Sequence, residues 1–249
     1  MTELISCIMP TWNRRAFVPL AIACFLAQDD AGPRELVVID DGSSPVGDLM
    51  PDDRRVRYVH LHGRSSIGAK INFGARIARG ELLALWADDD WQAPWRLSWQ
   101  RAQLAAAPGA QICGSDSVLF WDWPGGRAAR YWYTALHRAT TAYMLGGTLL
   151  FRRSFWQARQ FPDVSQAEDN AFIEGRLGQG QAVFDGGDYY VAMLHGGNTR
   201  WLDLGHEQFA AVELDFVREL MSGDWPAWDG LRANLVHLVH GARIGISGT

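Results

Sequence analysis

The hydrophobic positions of this chain alternate between short solid runs and runs with a helical repeat. Leu4–Met9 is almost wholly apolar, the pattern of a strand buried on both faces. Arg15–Ala27 follows, with Phe17, Leu20, Ala21 and Cys24 along one helical stripe. Leu36–Ile39, opened by Pro33 and closed by Asp40-Asp41-Gly42-Ser43, predicts a second strand, and Val56–Leu61 a third. Ile67–Ala78 sets Ile67, Ile71, Gly74, Ala75 and Ala78 at helical spacing, with Gly80 as its stop. Leu82–Trp86 predicts a fourth strand ending at Asp88-Asp89-Asp90. Pro94 begins a helix to about Ala106, and Ala110–Ser115 predicts a fifth strand.

Strand–helix alternation of this kind implies an α/β fold, Rossmann-like, with a mostly parallel sheet and helices on both faces. Ligands of such sheets bind outside the carboxyl ends of the strands. The polar clusters fall at those ends: Thr11 to Arg14 after the first strand, Asp40 and Asp41 after the second, Asp88 to Asp90 after the fourth. Three clusters sharing one edge of a sheet argue for a site there.

After Ser115 the pattern changes. Val118–Trp123 and Ala128–Trp132 flank Pro124-Gly125-Gly126 and predict a hairpin, the start of a smaller antiparallel part. Gly146–Phe151 reads as a strand with a glycine entry and Glu168–Leu177 as a helix. Val191–Leu194 reads as a strand ending at His195-Gly196-Gly197-Asn198-Thr199. Two helices, roughly Glu207–Met221 and Leu231–Ala242, close the chain. No repeat, linker or low-complexity tract interrupts it. One domain over residues 1–249 is expected, with a nucleotide-binding half in 1–115 and an acceptor-binding, catalytic half in 116–249.

Composition narrows the choice. The chain has 249 residues, of which 48% are hydrophobic, enough for a large core. Its net charge of −5 argues against non-specific nucleic-acid binding, which needs a basic face. The three cysteines, Cys7, Cys24 and Cys113, sit in apolar runs without a C-x-x-C pair, so buried reduced thiols and a cytoplasmic location are expected. Met1–Pro10 reads as a strand rather than a signal peptide, and no run reaches the ~18 apolar residues that span a bilayer. The tail, with Leu231, Leu235, Leu238 and Val239 at helical spacing, is read as core-facing, with peripheral membrane contact as the other option. Tryptophan is frequent, at 12 residues; most serve packing, but a flat apolar face also stacks on sugar rings.

Each polar cluster has a chemical and a bland reading. Asp88-Asp89-Asp90 offers the hard oxygen ligands that Mg²⁺ or Mn²⁺ takes when a diphosphate supplies the rest; otherwise it is a solvated turn or a helix cap. Asp41 at a strand end can accept from a base or ribose, or form an ordinary Asp-Gly turn. Lys70 can neutralise a diphosphate or be solvated. Glu168-Asp169 can supply a general base for an acceptor hydroxyl, or cap a helix. His195 can ligate a metal or pack structurally, and Arg200 can grip a phosphate.

Taken together, the segments resemble the inverting family-two glycosyltransferases of GT-A fold. The matching pieces are Pro10-Thr11-Trp12-Asn13-Arg14, Val38-Ile39-Asp40-Asp41-Gly42-Ser43, Ile67-Gly68-Ala69-Lys70-Ile71-Asn72, Ala78-Arg79-Gly80-Glu81, Asp88-Asp89-Asp90-Trp91, Gly146-Gly147-Thr148-Leu149 and Glu168-Asp169. Each is loose alone; their joint order, over roughly residues 3–200, is specific. The resemblance implies metal-assisted transfer of a sugar from a nucleotide-diphosphate donor, UDP-linked, to the hydroxyl of a saccharide or small molecule. It implies that Pro10, Thr11, Asn13 and Asp41 hold the nucleoside, that Arg14 and Lys70 lie near the phosphates, and that Asp88 faces the ribose. Asp89, Asp90 and His195 would hold Mn²⁺ or Mg²⁺, Asp169 would be the catalytic base, and Gly147, Glu168 and Arg200 would face the acceptor or donor sugar.

Two departures stand out. Ala87 occupies the place where many relatives carry the first aspartate of a D-x-D, and Ile71 the place where an arginine often precedes the asparagine. A sugar-1-phosphate nucleotidyltransferase is the competing enzyme, disfavoured because Pro10–Arg14 lacks a glycine-rich loop. A non-catalytic sugar- or nucleotide-binding module is the other alternative.

Overall fold

The computed structural model describes residues 2–133, 143–178, 181–199, 202, 204–205 and 209–244, with side-chain surroundings as far as residue 235. Five strands follow the expected order: β1 (Ile5–Thr11), β2 (Arg34–Asp40), β3 (Val56–His60), β4 (Leu82–Leu85) and β6 (Ile112–Gly114), with a two-residue β5 (Trp91–Gln92) between the last two. Helices α1 (Val18–Leu26), α2 (Ile67–Ile77) and α3 (Arg96–Ala106) stand where the stripes place them. Then come the hairpin β7 (Ser117–Asp122) and β8 (Arg127–Trp132), β9 (Leu150–Arg152), α4 (Arg153–Ala158), α5 (Glu168–Ile173), β10 (Ala182–Phe184), β11 (Tyr190–Leu194), β12 (Phe209–Val212), α6 (Leu214–Met221) and α7 (Trp225–Ile244).

The large sheet runs β10-β6-β9-β4-β1-β2-β3. Its neighbours are parallel except around β9, which enters antiparallel between β4 and β6. Alternation along the strands splits the core in two. Ile5, Cys7 and Met9 of β1 face α1, where Val18, Ala21, Ile22 and Phe25 meet them. Ile8 points the other way, toward Ile71 and Ala75 of α2 and the aromatic group Phe151, Phe155, Phe161 and Phe172. Both faces are therefore helix-covered, as the apolar runs require. The second sheet runs β12-β8-β7-β11-β5. It is antiparallel apart from the β7–β11 pair. The two sheets do not divide at residue 115: β5 belongs to the second sheet, while β9 and β10 return to the first.

Several elements differ from expectation. The helix expected from Glu207 begins at Leu214, because Phe209–Val212 pairs with β8 instead. Phe209 packs its ring against Phe120 and Tyr131, with centroids 5.5 and 4.9 Å away, and this pairing outweighs the local helical spacing. The strand expected over Gly146–Phe151 opens instead as a 3-10 turn, Gly146–Thr148, in which the Thr148 hydroxyl donates to the Leu145 carbonyl at 2.7 Å. Helix α5 stops at Ile173, ahead of Gly175 at φ +68°. α7 starts earlier than expected, and Leu231 and Leu235 pack against the core; Leu238 and Val239 lie outside the side chains described. No helix among the described residues is long and apolar enough to cross a membrane. Cys7, Cys24 and Cys113 are buried and free, and burial pushes the Cys7 and Cys24 thiols up to about 12.

One contact brings the second half of the chain to the edge of the large sheet. Gly68, in the first turn of α2, donates its N–H to the Val164 carbonyl at 3.0 Å, and a Cβ there would be driven into the Pro162 carbonyl oxygen. Backbone cannot yield as a side-chain tip can. Gly68→Ala is expected to lower stability by about 1–3 kcal/mol, read as a shift in the urea midpoint. An unchanged midpoint would show that the 162–164 segment does not seat on α2 this closely.

Candidate active site

The carboxyl ends of β1, β2 and β4 lie side by side, so Thr11, Asp41 and the acidic triplet meet at one rim, as the topology requires. The two aspartates after β2 divide the work. Asp40 organises its own turn, accepting from the Gly42 and Val46 N–H groups at 2.8 and 2.9 Å and from the Tyr58 hydroxyl at 2.9 Å. Asp41 turns into the rim with its side chain fully buried, accepting from Lys70 Nζ at 2.7 Å, Arg64 Nη1 at 2.9 Å and the Ser65 N–H at 2.6 Å. Burial alone would raise its pKa; the Lys70 and Ser65 hydrogen bonds outweigh that and hold it below the usual value. Lys70, only 2% exposed, also donates to the Thr11 carbonyl at 2.8 Å. Burial lowers its pKa against the pull of Asp41. It is thus a bracket between β1, β2 and α2 as much as a cation facing the cavity. The Thr11 hydroxyl is buried beside Asp88, the carboxyl it helps to hold down, and has no other hydrogen-bond partner among the described residues.

The acidic triplet sends its three carboxyl groups three ways. Asp90 is tied to β11: one oxygen accepts from the Met193 N–H at 2.7 Å and the other from the Tyr190 hydroxyl. Burial, and then the charge of Asp89, raise its pKa well above the ordinary value. Asp89 lies 3.1 Å from His195 Nε2 and 3.4 Å from the Arg14 guanidinium. These partners overcome its burial and hold its pKa low. No cation among the described residues makes an ion pair with Asp88, and burial followed by repulsion from Asp89 pushes it up to about 7.

His195 is placed by the loop after β11. Asn198 accepts from the His195 N–H at 2.8 Å and donates to the Met193 carbonyl at 2.7 Å. The Gly197 N–H donates to His195 Nδ1 at 3.3 Å, which leaves the ring proton on Nε2, toward Asp89. Two cis ligands of Mg²⁺, each about 2.1 Å from the ion, lie about 3 Å apart. The Asp89–His195 spacing of 3.1 Å, an ordinary hydrogen-bond distance, would also suit one divalent ion if the ring proton moved to Nδ1 and the Gly197 N–H gave up that nitrogen. No set of three or more metal-binding groups converges among the described residues.

Asp169 stands opposite. Its Oδ2 accepts from the Tyr143 hydroxyl at 2.7 Å and the Gly146 N–H at 3.2 Å, and its Oδ1 from the Asn170 N–H at 2.8 Å. Burial, then the neighbouring Asp169 charge, push Glu168 up to about 7. Pro10, Thr11, Arg14, Lys70, Asp88, Asp89, Gly147, Glu168 and Asp169 share the wall of one cavity of about 210 Å³. Ala87 and Ile71 are on that wall as well. Asn13, Asp41, Asp90 and His195 are not; Asn13, at φ +54°, instead ties the β1 loop to Ser43 and Ser44. Arg200 lies outside the described residues. Residues not anticipated also line the cavity. Trp12 is 45% exposed, with the Arg64 guanidinium 4.1 Å over its ring. Trp12 sits inside the Pro10–Arg14 motif and was readable as an exposed aromatic; Arg64 and Tyr143 lie in irregular segments without a local signal.

Residues 6–158 match the model of Glycosyl transferase family 2, more than half of the chain. WcaA of Escherichia coli (strain K12), which carries the provisional name of a colanic acid biosynthesis glycosyl transferase, is 36% identical over 100 residues, or 38% of this chain and 36% of its own. Glycosyltransferase GlyG of Streptococcus pneumoniae serotype 4 is 30% identical over 95 residues, covering 36% of this chain and 31% of its own. The chain thus spans about a third of the length of these relatives. Among solved structures, the mannosyltransferase PcManGT of Pyrobaculum calidifontis, in complex with GDP-Man and Mn²⁺, superposes with a TM-score of 0.60 at 18% identity, over 77% of this chain and 57% of its own. Residues 1–349 of S. aureus TarS, in complex with UDP-GlcNAc, do so with a TM-score of 0.60 at 21% identity, over 80% and 61%. Both share the GT-A arrangement of a mainly parallel sheet beside a second, smaller sheet. Asp169 and His195 lie past the end of the family match, so their placement rests on geometry alone. On the match over residues 6–158, the chain belongs to glycosyl transferase family 2.

Proposed function

We propose that this protein transfers a sugar from a nucleotide-diphosphate donor, UDP-linked, to an acceptor hydroxyl, with inversion and with the help of a divalent metal. The observation that carries this reading is the position of Asp169. Its carboxylate is on the wall common to the cavity of Thr11, Asp88 and Asp89 and to a second cleft of about 490 Å³. A base at such a junction can reach an acceptor on one side while the donor lies on the other. The complexes of the solved neighbours with GDP-Man and Mn²⁺ and with UDP-GlcNAc support a nucleotide-sugar donor and a divalent ion. The first half of the chain would hold the donor at the rim of the large sheet, and the second half would hold the acceptor. Three buried thiols fit a reducing, cytoplasmic setting.

The chemistry is one in-line displacement. Asp169 removes the proton of the acceptor hydroxyl as its oxygen attacks the anomeric carbon. The bond from that carbon to the diphosphate oxygen breaks, and its electron pair leaves with the diphosphate. Attack opposite the leaving group inverts the centre. Tyr143 and the Gly146 N–H hold Asp169; Arg14, beside Asp89, would face the diphosphate. A divalent ion held by Asp89 and His195 would offset the charge that develops on the leaving group.

Asp169→Asn is expected to cut transfer by about 10²–10⁴-fold while UDP titration gives unchanged affinity; undiminished transfer would remove Asp169 from its role. Calorimetric titration of UDP with and without Mn²⁺ addresses the metal. Mn²⁺ should tighten binding at least tenfold in the wild type and not in Asp89→Asn or His195→Ala, whereas equal tightening in all three would place the ion elsewhere. Glu168 generates a pH prediction. Its pKa of about 7 in the fold exceeds the ordinary 4.5, so folding favours the protonated form. Stability is therefore lost as pH rises from the unfolded toward the folded value, and nothing is lost below both. Glu168→Gln should melt on the order of 2–4 °C above the wild type at pH 8 and level with it at pH 4; an equal gain at both would mean that the raised value is not the cause.

A further inference from the structure

Behind the cavity wall, on the inner face of α3, lies a guanidinium that has no part in the displacement itself. Arg96 is fully buried. Its hydrogen bonds all end on neutral oxygens. Nη2 donates to the Leu85 carbonyl at 3.0 Å, Nη1 to the side-chain carbonyl of Gln92, and Nε to that of Gln100 at 3.2 Å. The rings of Trp86, Tyr189 and Tyr190 stand around it, with centroids 5.3, 5.9 and 5.8 Å from its central carbon. None of these partners is a carboxylate. Burying a charge in this way is costly, and an apolar side chain of similar volume would fill the space at lower cost. What the planar fork of an arginine adds is a grip on several carbonyl oxygens at fixed angles.

The oxygens it grips belong to the site. Leu85 ends β4, and the Gln92 amide reaches the Ala87 carbonyl at 3.4 Å, so Arg96 holds the chain on both sides of Asp88, Asp89 and Asp90. Gln100, one turn along α3 and also fully buried, donates to the Thr148 carbonyl at 2.7 Å. Thr148 closes the turn whose first residue, Gly146, donates to Asp169. The acidic loop and the turn that holds the candidate base thus meet on two bonded side chains of one helix. The Gln100 amide has a second branch, to Asp185 at 3.1 Å and the Tyr189 hydroxyl at 2.9 Å, and Tyr189 donates to Asp185 at 2.6 Å. That branch leads away from both the loop and the turn.

We propose that Gln100, oriented by Arg96, is a positioning residue: from behind the cavity, through the Thr148 carbonyl, it fixes where Asp169 stands relative to the acidic loop. It touches neither donor nor acceptor. This rests on the reading of Asp169 as the base of a glycosyl transfer. Without the bond to Thr148 the turn drifts and Asp169 drifts with it. The rim built on β1, β2 and α2, with Thr11, Asp41 and Lys70, keeps its shape. Rate therefore falls while nucleotide affinity holds.

The test follows UDP release by the whole chain from UDP-glucose, UDP-galactose, UDP-N-acetylglucosamine and UDP-N-acetylgalactosamine with Mn²⁺, water serving as acceptor. Gln100→Met keeps the shape and removes the donor; it should lower kcat about tenfold or more, with donor KM and UDP affinity within about twofold of the wild type. Tyr189→Phe cuts only the Asp185 branch; it should melt lower and keep its kcat. A double-mutant cycle decides between positioning and packing. A residue that acts through Asp169 adds nothing once that carboxylate is gone, so Gln100→Met should cost no more than about twofold in the Asp169→Asn background. An additive loss in that background, or a drop in Tyr189→Phe equal to that of Gln100→Met, would reduce Gln100 to packing and overturn the proposal. Native-state hydrogen exchange of the wild type depends on no variant folding. The Gly146 and Met193 amides, which bond Asp169 and Asp90, should open as one unit with the same urea dependence, and separate openings would also overturn the proposal. A wild type that binds UDP but releases none from any of these donors sinks the transfer reading instead, and the exchange result then decides whether loop and turn are braced together.

Discussion

A lysine ammonium buried to 2% exposure is the constraint on which the rest of this site depends. Such a charge survives only if it is paired and hydrogen-bonded where it lies. Lys70 meets that condition by taking the Asp41 carboxylate and the Thr11 carbonyl together, and so it locks the ends of β1 and β2 to the first turns of α2. Loss of one partner from a buried pair leaves an uncompensated charge, a penalty of about 3–5 kcal/mol. That is large against the whole stability of a domain. The rim of the sheet therefore has its shape before any ligand arrives. Asp41, with Arg64 and the Ser65 N–H also upon it, belongs to this framework. Thr11, buried beside Asp88, lines the cavity that the framework encloses.

Three consecutive aspartates at one strand end would repel one another if all were alike, and the fold makes them unlike. Asp90 is absorbed into β11 by two hydrogen bonds. Asp89 is kept ionised by His195 and Arg14. Asp88, buried beside that charge and without an ion pair among the described residues, is pushed up to about 7. The position of each in the chain decides nothing here; the partner that tertiary structure brings to it decides everything. Burial comes first in raising Asp88 and the Asp89 charge second, so a divalent cation at Asp89 would offset only the second of these. The absence of an aspartate at position 87 is then less consequential than the motif comparison implies. For the metal proposed above, His195 is the group that lies beside Asp89, at 3.1 Å.

Much of the framework was legible because it depends on local pattern. Leu4–Met9, Leu36–Ile39 and Leu82–Trp86 are solid apolar runs that only a sheet covered on both sides can bury, and parallel topology then dictates which ends carry the ligand. What was not legible depends on partners distant in the chain. The two residues of β5 have no periodicity of their own. β12 exists because β8 offers an edge, and Phe209 reads as part of a helix until Phe120 and Tyr131 are placed beside it. Asp90 was indistinguishable from Asp89 because Tyr190, which claims it, lies 100 residues further on. Lys70 was visible as a cation, but its enclosure by Asp41 and Thr11 was not. Tyr143 and Arg64 follow no motif at all, and only the fold reveals that one holds the candidate base and the other covers Trp12.

The two halves of the site are joined through the Gly146-Gly147 turn. A side chain at Gly146 would collide with the Asp169 carboxylate, and one at Gly147 with the Tyr190 hydroxyl. Both glycines are thus dictated by close approach rather than by an unusual backbone angle. On one side the turn holds the candidate base, since the Gly146 N–H donates to Asp169. On the other it abuts the residue that secures Asp90 and, through it, the loop that carries Asp88 and Asp89. Displacement of this turn would move the proton acceptor and the acidic loop together. The in-line displacement proposed above needs the attacking and leaving oxygens at a fixed separation, and a misplacement of about 1 Å is expensive. A single short turn of glycines, pinned between Asp169 and Tyr190, couples the position of the candidate base to that of the acidic loop more rigidly than two independent loops would.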